Sequence, residues 1–234
     1  MFKHLILAAT LLPQIATAQE RTLTLSGLPI WDSAALLYLV DYQPLADQGI
    51  TFGFEPWHAP EELGAKLARQ DIAIANAPSI LVLVLAARGV DLALLGSSAP
   101  AGNLKIISSM AGGDMAVPFK GGMPDLILQS LGGADGFSPR FTGTPPEAME
   151  LFLSGQVAAT FLAEPFATVV TMQAQTEVSV TNVCALWREA HGTGTCAVTG
   201  AYVAVGLDHD DAQRVSAVLS DAYSAVGNDP ALAD

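Results

Sequence analysis

Gly96-Ser97-Ser98-Ala99-Pro100-Ala101-Gly102-Asn103 is a run of eight small or turn-forming residues. Glycine and proline punctuate regular structure, so the run reads as a linker or hinge. What it separates decides the fold. Upstream, Leu23 to Leu25 reads as a strand closed by Ser26-Gly27-Leu28-Pro29, and Asp32 or Ser33 caps an apolar helix over Ala34 to Val40. Ile50 to Phe54 alternates as a second strand, and Ala59-Pro60-Glu61-Glu62 opens a helix that carries Leu63 and Leu67 on one face. Asp71 to Ala75 is a short apolar strand. Asn76-Ala77-Pro78-Ser79 then turns into the apolar helix from Ile80 to Ala87, and Val90 to Leu95 is the next strand.

The rhythm restarts beyond the run. Lys105 to Ser108 and Met115 to Val117 are strand-like, Pro124-Asp125 opens a helix through Leu131, and Pro145-Pro146-Glu147 opens another through Leu153. Ala158 to Leu162 is a strand, Phe166 to Gln173 a helix, Ala201 to Val205 a late strand, and a helix runs from Asp210 to Val226. Strands alternating with helices call for parallel sheets covered on both faces. Two such α/β units joined by one hinge make a clamp, with a ligand in the crevice at the strand carboxyl ends.

The N-terminus reads as an export signal. Met1-Phe2-Lys3-His4 is a short basic start, Leu5 to Leu12 is uncharged and apolar, and Ala16-Thr17-Ala18 is a small-x-small cleavage pattern. Cleavage after Ala18 leaves 216 residues, and no cysteine follows the cut to carry a lipid. A location in the periplasm is expected. The composition, 51% hydrophobic with 14% charged, argues against disorder. A net charge of −13 without any basic cluster argues against nucleic-acid binding. Cys184 and Cys196 either close a disulfide in an oxidising compartment or stay as two buried thiols. His58, His191 and His209 lack metal-ligand spacing, so no metal or cofactor is expected. Gly192-Thr193-Gly194-Thr195-Cys196-Ala197 imitates a dinucleotide fingerprint but lacks the strand-to-helix context, and reads as a loop.

Several segments resemble the periplasmic binding proteins that include the sulfonate, taurine, nitrate and thiamine-precursor receptors. They are Gly27-Leu28-Pro29 through Leu39, Glu62 through Ala73, Val117 through Asp125, and Pro146 through Phe166 with its Leu162-Ala163-Glu164-Pro165-Phe166 ending. The resemblance spans roughly residues 22 to 206. It implies an α/β type II clamp of two lobes, each a mostly parallel sheet flanked by helices. Residues 19–98 would form lobe I, 99–104 the hinge, 105–200 lobe II, and 201–234 a return to lobe I. Family members continue further beyond the helix at Ala212 to Val226, which implies an incomplete lobe I here.

Candidate ligand-binding residues sit at the strand ends. Trp31 can stack on a planar ligand while Asp32 accepts hydrogen bonds, or the pair is a helix cap beside a surface aromatic. Asn76 follows the third strand. In Phe119-Lys120-Gly121-Gly122 the glycines let backbone N–H groups approach an anionic group, with Lys120 adding positive charge. Glu164 precedes Pro165, which holds its backbone extended, and its carboxylate either enters the cleft or anchors the hinge. With Asp32 and Glu164 both facing the ligand, a sulfonate or nitrate is disfavoured against a neutral or cationic pyrimidine-like ring. The expected activity is solute capture, not catalysis, by a monomer that feeds an inner-membrane ABC permease. A clamp-fold enzyme, or a periplasmic sensing or delivery module acting on a protein, is the alternative.

Overall fold

The computed structural model describes residues 20–98, 102–133 and 136–228. The expected export signal at residues 1–18 lies outside them, as do residues 99–101 of the expected hinge. Described in chain order, the first unit is β1 (Arg21–Ser26), α1 (Ala34–Tyr42), β2 (Ile50–Phe54), α2 (Pro60–Arg69), β3 (Ile74–Pro78), α3 (Ser79–Ala87) and β4 (Ala93–Ser97). Next come β5 (Leu104–Ser108), β6 (Gly113–Pro118), α4 (Met123–Ser130), β7 (Phe137–Thr142), α5 (Pro145–Leu153), β8 (Ala159–Ala163), α6 (Phe166–Gln173), β9 (Ser179–Asn182) and α7 (Val183–His191). Last are β10 (Gly200–Ala204) and α8 (His209–Asn228).

The strands form two five-stranded sheets, ordered β2-β1-β3-β10-β4 and β7-β6-β8-β5-β9. In the first, β1 pairs in parallel with β2 and β3, while β10 runs antiparallel to both β3 and β4. The second repeats the scheme, with β6 parallel to β7 and β8, and β5 antiparallel to β8 and β9. Each sheet is mixed, yet four of its five strands point one way. The odd strand in each is the one that enters directly after the chain has crossed between sheets. Every residue of β10 is buried, as a central strand covered on both faces requires.

Helices cover both faces of each sheet, and the core divides accordingly. Leu36 and Leu39 of α1 and Val215 and Leu219 of α8 pack on one face of the first sheet, and Leu63 and Leu67 of α2 and Leu85 of α3 on the other. The second sheet has Ile127 and Leu128 of α4 with Val183 of α7 on one face, and Phe152 of α5 with Val170 of α6 on the other. Gln43, left-handed at φ 46°, ends α1 and turns its amide to the backbone of Phe52 in β2, donating to the carbonyl at 2.8 Å and accepting the N–H at 2.8 Å.

Several local expectations need correction. Asn76-Ala77-Pro78 is not a turn but the end of β3, paired antiparallel with Tyr202, Ala201 and Gly200. β7 and β9 are strands in stretches that the local pattern leaves unassigned, because each lies at a sheet edge and has polar or exposed residues. Pro139 is tolerated in β7 for the same reason, since an edge strand need not donate on its outer side. The polar stretch through His191 belongs to α7, an amphipathic helix that buries little beyond Val183 and Cys184.

Two chain crossings join the sheets, and they run side by side. The Ser98 N–H donates to the Gly200 carbonyl at 3.1 Å, and the Glu164 N–H to the Asn103 carbonyl at 3.2 Å. A disulfide joins Cys184 of α7 to Cys196 in the segment leading into β10, with a Cα–Cα separation of 4.9 Å. Gly102 lies directly on it. A Cβ at Gly102 would stand 3.0 Å from Cys184 Cβ and 3.4 Å from Cys196 Sγ. The bridge therefore pins the return crossing beneath the outgoing one.

Candidate functional site

Between the two sheets lies a cavity of about 490 Å³. The first sheet's side supplies Leu28, Ile30 and Asp32 after β1, Trp57 after β2, Asn76 and Pro78 from β3, and Ile80, Leu81 and Val84 from α3. The second supplies Phe119 through Met123 after β6, Thr142 and Gly143 at the end of β7, and Phe161 and Ala163 from β8. Asn103, Thr199 and Gly200 come from the crossings. These are the carboxyl ends of the parallel strands, where helices and loops leave the sheets and leave a crevice. The wall is mostly hydrocarbon, with Asp32, Glu61 and Lys120 its only charged members. At the mouth the two sides meet, Ser79 Oγ lying 3.4 Å from Met123 Sδ.

A buried polar cluster forms the floor. Asp32 and Ser33 sit in a short 3₁₀ turn between β1 and α1, and both are buried. Gly27 is required there, because a Cβ on it would collide with the Ser33 side chain. The Asp32 carboxylate accepts the Asn103 side-chain amide, and its carbonyl accepts the Tyr202 hydroxyl at 2.6 Å. Asn76 donates to Ser33 Oγ at 3.4 Å, and the Trp57 indole N–H donates to the Asn76 carbonyl at 3.1 Å. Gly200 leaves room for the group, since a Cβ there would stand 3.3 Å from Asn76 Oδ1 and 3.4 Å from Asp32 Oδ2.

Burial pushes the Asp32 carboxyl up to about 7, with the Asn103 amide pulling the other way. The Ser98 hydroxyl lies beside the same carboxylate but outside hydrogen-bond geometry, and it and Thr199 Oγ1 are buried without a partner. Such orphans are uncommon in folded proteins and point to polar groups kept for something else. Burial, and then the Asp32 charge, also raise the Tyr202 and Tyr223 hydroxyls.

The opposite lip is the turn between β6 and α4. Phe119 is held at φ 59°, a left-handed conformation rare for a side-chain-bearing residue. Gly122 is obligatory behind it, because a Cβ there would stand 2.7 Å from the Phe119 carbonyl oxygen. The expectation that these glycine amides bind an anion is not met. The Gly122 N–H donates to the Phe119 carbonyl at 2.6 Å and the Gly121 N–H to Asp125 Oδ2 at 2.8 Å. Asp125 thus puts a buried carboxylate at the helix start, and Pro124 has no N–H to offer. The Lys120 ammonium is exposed and stands 5.6 Å over the Phe141 ring.

Six of the eight candidate residues line the cavity: Asp32, Asn76, Phe119, Lys120, Gly121 and Gly122. Trp31 and Glu164 do not. The Trp31 N–H donates to the Glu164 carbonyl at 3.2 Å, so this pair ties the two sides behind the cavity. The Glu164 carboxylate turns into α6 instead, accepting Thr168 N–H at 3.0 Å and Thr168 Oγ1 at 2.8 Å. Asn103, Ser98, Thr199 and the aliphatic wall escaped sequence reading. Asn103 alone left a trace there, as the one amide closing a run of small residues.

Neither a protein-family model nor a curated protein matches the sequence. Solved structures do. An ABC transporter from Parabacteroides distasonis superposes with TM-score 0.76 at 18% identity, over 91% of this chain and 76% of that one. The fold is the two-lobed periplasmic-binding-protein clamp. The aliphatic sulphonate binding protein SsuA from Escherichia coli gives 0.67 at 16% identity, over 92% of this chain and 77% of its own. The nitrate-binding protein NrtA from Synechocystis PCC 6803 gives 0.62 at 13%, over 87% and 59%. The cavity here lies between the two mixed five-stranded sheets of that fold. Among the described residues, no group of three or more His, Cys, Asp or Glu is placed to hold a metal. No described helix is long and apolar enough to cross a membrane.

Proposed function

We propose that the chain is the periplasmic solute-binding component of an ABC importer, capturing one small molecule in the inter-lobe cavity and delivering it to the permease. One observation carries this reading: a cavity of about 490 Å³ whose wall draws on both lobes and on the two crossings that join them. That volume falls within the range of small-molecule sites. A solute touching both walls favours the closed over the open arrangement, since only the closed one offers it both sets of contacts. Asp32, Asn76 and the Phe119 to Gly122 lip are the residues assigned to the solute. The lobes are 19–98 and 105–200, joined at 99–104, with 201–234 returning to the first. The leader through Ala18 directs export.

Sulfonate and nitrate belong to two of the structural neighbours, and a pyrimidine-like ring is the third solute to weigh. The test is native mass spectrometry of the protein recovered from its own host's periplasm. One small solute per chain, released on denaturation, is expected, and adding that solute back should raise the melting temperature. A chain that carries no solute and gains no stability from sulfonates, nitrate or pyrimidines refutes the reading.

A further inference from the structure

We infer that the solute is an organic cation: an apolar body held by the aliphatic wall, with a positively charged, hydrogen-bond-donating head against Asp32. The inference rests on the solute-binding reading and specifies its ligand.

Four features of the cavity converge on it. The one charged group at its floor is a carboxylate, buried to 5% exposure, and no ion pair forms at it among the described residues. Among the described residues its side-chain polar neighbours are neutral: it accepts the Asn103 amide, and the Ser98 hydroxyl lies beside it. A buried carboxylate without a counter-charge is costly, and a cationic head supplies what the protein omits. The same burial pushes the carboxyl upward.

Second, the glycine amides that could hold an anion are already engaged. Both glycine amides of the lip are bonded within the protein, and Asp125 occupies the α4 start. Lys120 stands exposed over the Phe141 ring. Third, Thr199 lines the cavity, and its Oγ1, buried without a partner among the described residues, can accept from a multi-donor head. Fourth, Leu28, Ile30, Leu81, Val84 and Phe161 leave the rest of the solute a hydrocarbon surface. A chain of net charge −13 also draws cations and repels anions before contact.

The experiment uses one ring with opposite heads: benzamidine against benzenesulfonate, added to the solute-stripped protein and followed by thermal shift and calorimetry. Benzamidine should bind and stabilise, and benzenesulfonate should bind at least ~10-fold more weakly. Asp32→Asn should weaken benzamidine about 10- to 100-fold, the contribution of a charge-assisted hydrogen bond, without lowering the melting temperature of the empty protein. Asp91→Asn, at an exposed carboxylate outside the cavity wall, is the control, and it should leave benzamidine binding unchanged. Stabilisation by benzenesulfonate, or equal benzamidine binding by Asp32→Asn, overturns the inference. So does failure of benzamidine to bind, and in that case a different solute seen by native mass spectrometry would leave the binding-protein reading standing.

Discussion

The Asp32 carboxylate, on the first lobe, accepts the side-chain amide of Asn103, at the entry to the second. One buried hydrogen bond thereby spans the junction about which a clamp closes, and it lies in the wall of the cavity. On the proposed function, solute capture and lobe geometry share the same two side chains.

Removing the amide takes from a buried carboxylate the donor that lowers its pKa most. Asn103→Ala is expected to cost about 2–3 kcal/mol above neutral pH, where the carboxylate is ionised. Urea denaturation at pH 8 measures it. Near pH 5 the neutral carboxyl loses less, so a cost equal at both pH values would refute the role assigned to Asn103.

The raised Asp32 carboxyl sets a sign for stability against pH. Its folded value, about 7, lies above the ordinary 3.8, so between the two the folded chain holds a proton that the unfolded chain has released. Stability from this group is therefore full below pH 4 and is lost as pH rises through 7. The titratable neighbours, Tyr202 and Tyr223, remain neutral throughout, both being shifted upward. Asp32→Asn should then stabilise the empty protein by about 2–4 kcal/mol at pH 8, with the gain vanishing toward pH 4. Melting curves of both proteins across that range give the comparison.

The lip turn discriminates between its two glycines. At Gly121, φ is 75° and no atom lies within 4 Å of an added Cβ, so alanine costs only the left-handed penalty of about 1 kcal/mol. At Gly122 an added Cβ meets the Phe119 carbonyl oxygen at 2.7 Å and Phe119 Cβ at 2.9 Å. Gly122→Ala should be the more damaging by at least ~1 kcal/mol and should also reduce stabilisation by the solute. Equal effects in a denaturation series would show that the turn is not held as described.

The disulfide closes a short loop, its cysteines 12 residues apart. Chain-entropy reasoning assigns it about 3 kcal/mol, so the Cys184→Ala, Cys196→Ala pair should unfold at correspondingly lower denaturant. Reductant should destabilise the native protein by the same amount and leave the double variant unchanged. Because the bridge packs on Gly102, the variant should also exchange the amide hydrogens around residues 102–104 faster.

Much of the architecture can be read from local pattern alone. The alternation of β1 and β2, the apolar runs of β8 and β10 and the proline-opened helices α2, α4 and α5 announce themselves, because burial of a strand's faces writes its pattern of hydrocarbon into the chain. β7, β9 and α7 do not. They lie at edges and surfaces, where solvent accepts polar residues and the pattern dissolves.

At the site, chain order marks which residues stand at strand ends, and so Asp32, Asn76 and the Phe119 to Gly122 turn are legible without coordinates. Only the tertiary structure decides what those residues face. Asn103 and Ser98 reach Asp32, and Ser98 pairs with Gly200, because segments far apart in sequence come together where the chain passes between the sheets. Glu164 turns into α6, and the lip amides are satisfied internally, through contacts no sequence pattern records. Which strand ends exist is fixed by hydrophobic periodicity, a local property. The charge balance of the cavity depends on which side chains meet across long separations, and that is settled only when both sheets pack.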